Sequence, residues 1–156
     1  MIREELYHPM FSHFPIVMFA LALITKLIGL SLLKLRPQAA NYLLTTAKLL
    51  IYISPFLFLI TIYLGDFALD QIKNQFCDLF QIYKHEEVAY YALYCFLVVL
   101  ALEAVSELKH NFKIHMQVGA LIFLFCGNYF LFKTAHSGAL LVYDLGAAVK
   151  VAPKCN

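Results

Sequence analysis

The stretch FPIVMFALALITKLIGLSLLKL, at residues 14–35, decides the fold of this chain. An α-helix rises about 1.5 Å per residue, so about 20 apolar residues cross the hydrocarbon core of a bilayer. Three more apolar stretches of this kind follow, at residues 42–64, 88–105 and 114–132. The sequence therefore predicts an all-α, single-domain protein over residues 1–156, an integral membrane four-helix bundle.

The composition excludes several classes of protein. Hydrophobic residues make up 62% of the chain and charged residues 14%, against roughly 45–50% and 25% in soluble domains. A soluble protein of this length keeps too much of its surface in water to hide so many apolar side chains, and a disordered chain is far more polar. The formal net charge is +2 and no basic run is present, so nucleic acid is not an expected partner. The expected surroundings are a lipid bilayer.

The distribution of charge predicts the orientation of the bundle. Basic residues concentrate near the two short connections between helices one and two and between helices three and four: Lys34, Arg36, Lys109 and Lys113. Most of the acidic residues fall on the other side. By the positive-inside rule the short connections face the cytoplasm. We therefore expect a multi-pass protein of a bacterial inner membrane, with both termini on the outer, periplasmic side.

Two further elements are expected on the outer side. The segment at residues 65–87 is long for a structureless loop, and Asp66, Asp70 and Lys73 recur in it at helical spacing, which predicts a short interfacial helix. Residues 139–143 are apolar and are bracketed by Gly138 and Gly146, which predicts a C-terminal cap segment over the outer face. No internal repeat stands out in the sequence.

Four histidines from distant parts of the chain map to one membrane depth on the outer side. His8 and His13 precede the first apolar stretch, His85 precedes the third, and His136 follows the fourth. Neutral imidazole binds haem iron, and a membrane four-helix bundle supplies facing histidines and apolar walls for a macrocycle. We therefore expect one or two b-type haems near the outer face, bound by His13 with His85 and by His8 with His136.

Two other functions remain open from the residues alone. A metal-binding or transport protein would combine the same histidines with Asp66, Asp70 and Glu86, because mixed histidine and carboxylate ligands suit zinc, copper and non-haem iron. A structural or assembly subunit without a cofactor would use the histidines as interfacial anchors. A hydrolase is less favoured than an electron-transfer protein or a quinone-linked oxidoreductase, because no G-x-S-x-G context surrounds a serine. Both a monomer and a homodimer are compatible with the sequence.

Charged residues near the inner halves of the apolar stretches are candidates for a second function. Lys26 and Lys48 either extend to the cytoplasmic headgroups or form a buried site with Glu103. Cys77 and Cys155 both map to the outer side, where a disulfide between them and two free thiols are both compatible with the environment.

The segment HPMFSHFPI at residues 8–16 resembles the H-P-x-x-x-H-F-P-I start of a family of uncharacterised bacterial four-helix integral membrane proteins, a domain of unknown function. The similarity extends over residues 8–149. Its other marks are Gly65-Asp66, His85, and the G-x-x-L-V-Y-x-x-G pattern from Gly138 to Gly146. Some relatives are joined to cytochrome c-like modules. The resemblance therefore implies a redox setting, in which a small b-type cytochrome passes electrons between a quinone pool or membrane partner and a separate redox protein on the outer side.

Overall fold

The computed structural model describes residues 3–75, 79–108 and 112–147. Within these ranges the chain forms four long helices: α1 at Tyr7–Leu32, α2 at Pro37–Ile72, α3 at Phe80–Leu108 and α4 at Lys113–Tyr143. Each is long and apolar enough to cross a membrane. The predicted all-α, four-helix bundle of a multi-pass membrane protein is therefore confirmed. Cys77 and Cys155, and with them the question of their pairing, lie outside the described residues.

The helices extend well beyond the four apolar stretches at residues 14–35, 42–64, 88–105 and 114–132. α2 alone has 36 residues, which corresponds to about 54 Å of helix. A hydropathy window finds only the part of a helix that crosses hydrocarbon, whereas the backbone hydrogen bonds continue until a residue breaks them. One consequence matters for the site. His8, His13, His85 and His136 all lie on helices and not in the flanking loops.

The two elements that the sequence predicts for the outer side differ from the observed structure. Among the described residues of the segment 65–87 no separate interfacial helix occurs, because α2 continues to Ile72 and ends in the 3-10 turn Lys73–Gln75. Residues 139–143 are the last residues of α4 and not a separate cap. The chain turns only at Gly146, whose φ of 70° suits glycine. The Ala147 N–H then donates to the Leu141 carbonyl at 2.8 Å, which folds the end of the described chain back onto α4.

The bundle consists of two antiparallel helical hairpins. α1 packs mainly on α2, and α3 packs mainly on α4. Short connections favour antiparallel packing of neighbouring helices. The start of α1 and the end of α2 meet where His8 contacts Gly65, and the start of α3 and the end of α4 meet where His85 contacts Gly138. We call this end of the bundle the histidine end.

The two hairpins repeat one another. Each buried residue of α1 has a buried counterpart 77 positions later in α3. The pairs are Pro15 with Ala92, Phe19 with Phe96, Ala22 with Val99, Lys26 with Glu103, and Gly29 with Ser106. The buried residues of α4 likewise have buried counterparts in α2 at one constant separation. These pairs are Ala47 with Ala120, Ile51 with Leu124, Ser54 with Gly127, Phe58 with Leu131, Thr61 with Thr134, and Ala68 with Leu141.

An approximate two-fold axis along the bundle follows from this repeat, an arrangement known from membrane proteins with parallel internal repeats. Side chains from equivalent positions of α1 and α3 meet on the axis. His8 faces His85, and below them the rings of Phe19 and Phe96 stack with centroids 3.4 Å apart. The sequence did not reveal the repeat, because most equivalent positions carry different apolar residues that fill the core equally well.

Candidate functional site

The site forms where two histidines meet on the two-fold axis. His8 lies on α1 and His85 on α3, and both side chains are half-buried. Their ring centroids are 6.2 Å apart and their planes are perpendicular, at 89°. The two imidazoles therefore face each other across a gap that belongs to neither hairpin alone.

One nitrogen of each ring is tied to the neighbouring helix of its own hairpin. His8 Nδ1 lies 2.9 Å from the Thr61 carbonyl oxygen. His85 Nδ1 lies 3.0 Å from Ser137 Oγ and also contacts the Thr134 carbonyl, the counterpart of Thr61. The Ser137 hydroxyl itself donates to the Thr134 carbonyl, so it accepts from His85. Both Nδ1 atoms are thus the protonated ones, and each Nε2 carries a lone pair.

The Nε2 atoms of the two rings have no hydrogen-bond partner in the described chain. Within residues 3–75, 79–108 and 112–147, neither Nε2 makes a hydrogen bond, whereas every fully buried side-chain nitrogen or oxygen there has a partner. The Nε2 atoms must therefore be open to the space beside them. Two neutral imidazoles with free Nε2 atoms, fixed through Nδ1, are the arrangement found in metal-ligating histidines.

Two glycines make room for the rings. A Cβ atom at Gly65 would lie 3.1 Å from His8 Cε1, and a Cβ atom at Gly138 would lie 3.0 Å from His85 Cε1. These glycines are equivalent under the two-fold axis, and each follows the carbonyl-bearing Thr61 or Thr134 by one helical turn. A side chain at either position would push the imidazole away from its place.

A cavity of about 420 Å³ opens beside the two histidines. All four helices line it, and its lining includes the equivalent pair Phe58 and Leu131. Phe58 packs edge-on against Phe19 and Phe96, with centroids 6.0 and 6.1 Å apart, so an aromatic cluster closes the cavity toward the rest of the bundle. Ligand pockets commonly have volumes of about 300–1,000 Å³ and mostly apolar walls with few polar groups.

Carboxylates are the charged groups of the cavity. Glu5, Asp66 and Glu86 line it, and in the described part of the chain no lysine or arginine does. Asp70 does not line the cavity. Instead it accepts a hydrogen bond from Lys73 at 2.9 Å, and this bond raises the pKa of the lysine in the turn after α2.

The two facing histidines are not part of a larger cluster of potential metal ligands in the described chain. Among the described residues no group of three or more histidine, cysteine, aspartate or glutamate side chains is placed to hold a metal ion. Asp66 and Glu86 therefore share the cavity with the histidines without forming a joint set with them.

The four candidate histidines separate into two groups. His8 and His85 come together, a pair not expected from the sequence. His13 also lines the cavity, but its ring is exposed and its Nδ1 lies 2.8 Å from the Pro9 carbonyl one turn earlier. His136 is exposed on α4 and does not line the cavity. The expected pairs, His13 with His85 and His8 with His136, are not the ones that face each other.

Sequence reasoning missed the residues that orient the two rings. Thr61, Gly65, Thr134 and Gly138 were not singled out as site residues, although Gly65 and Gly138 belong to the family-like motifs. A signal was present, because the pattern T-x-x-x-G occurs near the end of both α2 and α4. At helical spacing this pattern places a carbonyl and a gap for a ring on one face.

The charged residues of the spans form two ion pairs. Lys26 pairs with Glu103 inside the bundle, with side chains only 2% and 3% exposed. Of the two predicted alternatives for Lys26, the buried site with Glu103 is therefore the one observed, and not extension to the headgroups. Lys48 pairs with Glu107 at 3.0 Å on a partly exposed surface between α2 and α3.

Comparisons with known proteins found no similar protein. No protein-family model matches the chain, and neither curated proteins nor solved structures show a match to it.

Proposed function

We propose that this chain is a small b-type cytochrome of the membrane, in which His8 and His85 bind the iron of one haem from opposite sides. The observation that carries the proposal is the spacing of the two rings. An imidazole nitrogen binds a metal at about 2 Å, so two rings on either side of one iron have centroids about 6 Å apart. The centroids of His8 and His85 are 6.2 Å apart.

The surroundings of the rings support the same assignment. Each Nδ1 donates to an acceptor on the neighbouring helix, which holds the ring in place and directs the lone pair of Nε2 toward a metal. The walls of the cavity beside them are mostly apolar, as a macrocycle requires, and the aromatic cluster of Phe19, Phe58 and Phe96 closes it below. The two-fold axis also suits a planar cofactor with the iron at its centre.

Bound haem would supply one-electron transfer. With His8 and His85 both holding the haem, the site would favour electron transfer over binding of oxygen or a substrate. In that function His8 and His85 would bind the haem, and Thr61 and Ser137 would orient the two imidazole rings. The apolar walls of the cavity would exclude water. The carboxylates Asp66 and Glu86 favour the more positive, oxidised state of a nearby iron, which lowers its reduction potential.

The membrane placement is part of the proposal. The histidine end would face the outside of a bacterial inner membrane, with both termini there, because the basic residues concentrate near the opposite end. A haem at that depth exchanges electrons with one side of the membrane only. The partners would be a quinone or membrane protein and a separate redox protein on the outer side, as the resemblance at residues 8–16 implies.

A visible absorption spectrum of purified protein tests the proposal. Protein from haem-replete cells is expected to show a Soret band and, after reduction with dithionite, the split α and β bands of a bis-histidine haem. His8→Ala and His85→Ala should each remove the low-spin spectrum. His136→Ala is the matched control, because this exposed histidine lies on the same bundle but outside the cavity.

Other outcomes separate the alternatives. A colourless protein with stoichiometric zinc, copper or non-haem iron would support the metal-binding function instead. A protein with neither chromophore nor metal, and with an unchanged fold in both histidine variants, would support a structural or assembly subunit.

A further inference from the structure

A charged network fills the axis in the half of the bundle away from the histidines. It consists of Lys26 on α1, Glu103 and Ser106 on α3, and Gln117 on α4. Lys26 forms an ion pair with Glu103 Oε1 and donates to Gln117 Oε1 at 2.5 Å. Gln117 Nε2 lies 2.8 Å from Glu103 Oε2 and 3.0 Å from Ser106 Oγ. The network thus joins the two hairpins through Lys26, Glu103 and Ser106, which are almost completely buried, and the half-buried Gln117.

The buried polar atoms of the network are all hydrogen-bonded. No residue of it lines the cavity at the histidine end, and every fully buried side-chain nitrogen or oxygen in the described chain has a hydrogen-bond partner. A set of groups that satisfies itself is poorly suited to bind or pass on a ligand. Buried polar groups of this kind are best known for selecting one register or one partner among similar alternatives.

The two-fold axis shows what the alternatives are. Lys26 and Glu103 occupy equivalent positions of the two hairpins, 77 residues apart. Two other pairs that meet on the axis are alike, histidine with histidine and phenylalanine with phenylalanine. Two α1–α2 hairpins from separate copies therefore present similar apolar faces to each other. The exception is position 26, where two buried lysines would meet without a counter-charge, which is costly in a membrane interior.

We infer that the charged network selects the partner of each hairpin, so that α1–α2 pairs with α3–α4 and like hairpins of two copies do not pair. The partner that it excludes is the like hairpin of a second copy of this chain. Pairing of like hairpins would still bring His8 to a second His8, so the histidine site itself does not enforce this choice. The inference does not depend on haem binding.

Two double variants of the full chain test the inference. K26E/E103K exchanges the charges across the axis and keeps one of each sign, and the Gln117 amide offers a donor and an acceptor to either arrangement. K26M/E103Q removes both charges with little change in volume. Copies with two different affinity tags are co-expressed, and the fraction of one tag that is recovered with the other is measured in detergent, together with the molar mass.

The neutral variant is expected to raise the co-purified fraction at least several-fold and to add a dimer, whereas the exchanged variant stays at the wild-type level. K48M/E107Q is the matched control, because it makes the same chemical change at the partly exposed ion pair, and no increase is expected. The inference is overturned if the co-purified fraction of K26M/E103Q equals that of the wild type. It is also overturned if the co-purified fraction of K26E/E103K is as large as that of the neutral variant. It is also overturned if K26M/E103Q fails to accumulate while K26E/E103K does, because the ion pair would then be needed for folding and not for choice of partner.

Discussion

A methyl group at Gly138 tests how closely the bundle holds its histidines. In Gly138→Ala the new Cβ atom would lie 3.0 Å from His85 Cε1, whereas non-bonded carbon atoms prefer about 3.5–4.0 Å. The imidazole must therefore move by about 0.5 Å, away from the position fixed by its Nδ1 bonds. That displacement is about the limit that a ligand geometry tolerates.

The size of the effect follows from the packing. Overfilling a well-packed site costs roughly 1–3 kcal/mol, and about 1.4 kcal/mol corresponds to a tenfold change in affinity. We expect haem affinity to fall about tenfold or more in Gly138→Ala. The haem affinity of Gly65→Ala should fall by a similar factor, because its new Cβ atom would lie 3.1 Å from His8 Cε1. The free energy of unfolding of the haem-free protein should change little. The cost of the added methyl group is offset because alanine stabilises a helix by about 1 kcal/mol relative to glycine.

The assay is a titration of haem-free protein with haemin in detergent, followed by the absorbance of the bound form. Gly119→Ala is the control, because this change is made on the same helix and its Cβ would lie 3.5 Å from the nearest atom, an ordinary contact with Leu102. The control should bind haem like the wild type. Equal affinities in all three variants and the wild type would refute the reasoning, as would an equal loss in the control.

Three further predictions concern the core and the cavity. Gly127→Ala should destabilise the protein by roughly 1–3 kcal/mol in denaturation experiments in detergent, because its Cβ would lie 2.6 Å from a ring atom of the tightly stacked Phe96; unchanged stability would contradict this packing. Asp66→Asn and Glu86→Gln should each raise the reduction potential, on the order of 30–60 mV for one electron, in a redox titration; a fall would show that these carboxylates do not act on the iron. His13→Ala should keep the bis-histidine spectrum. Loss of this spectrum in the variant would indicate that His13 is a ligand of the iron.

The fold was predictable because membrane crossing requires a simple pattern. The apolar stretch at residues 14–35 and its three counterparts predict the helices, and short connections predict antiparallel neighbours. Helix ends were not predictable in this way, because α2 and α4 continue past the apolar stretches with residues such as Asp66 and Ser137. Because of that extension, much of the two segments that were expected on the outer side lies within α2 and α4. It explains why no separate interfacial helix and no cap at residues 139–143 occur in the described chain.

The sequence indicated which end of the bundle carries the histidines but not which of them meet. The sequence placed four histidines at one end of the bundle, and two of them meet there. Which two meet depends on helical rotation. His8 points toward the axis, while His13, five residues later, is exposed. The repeat of the two hairpins would have indicated the pair, because His8 and His85 share the separation of Phe19 and Phe96, but similar apolar residues at the other positions concealed it.

The electron paramagnetic resonance spectrum of the oxidised protein tests the central claim most directly, because it reports the spin state of the iron and the angle between the planes of its two axial imidazoles. The rings of His8 and His85 are perpendicular, at 89°. The account therefore predicts a low-spin ferric signal with the large anisotropy typical of perpendicular imidazole planes, lost in both His8→Ala and His85→Ala. A high-spin signal, the rhombic low-spin signal of parallel planes, or a protein without haem iron would contradict it.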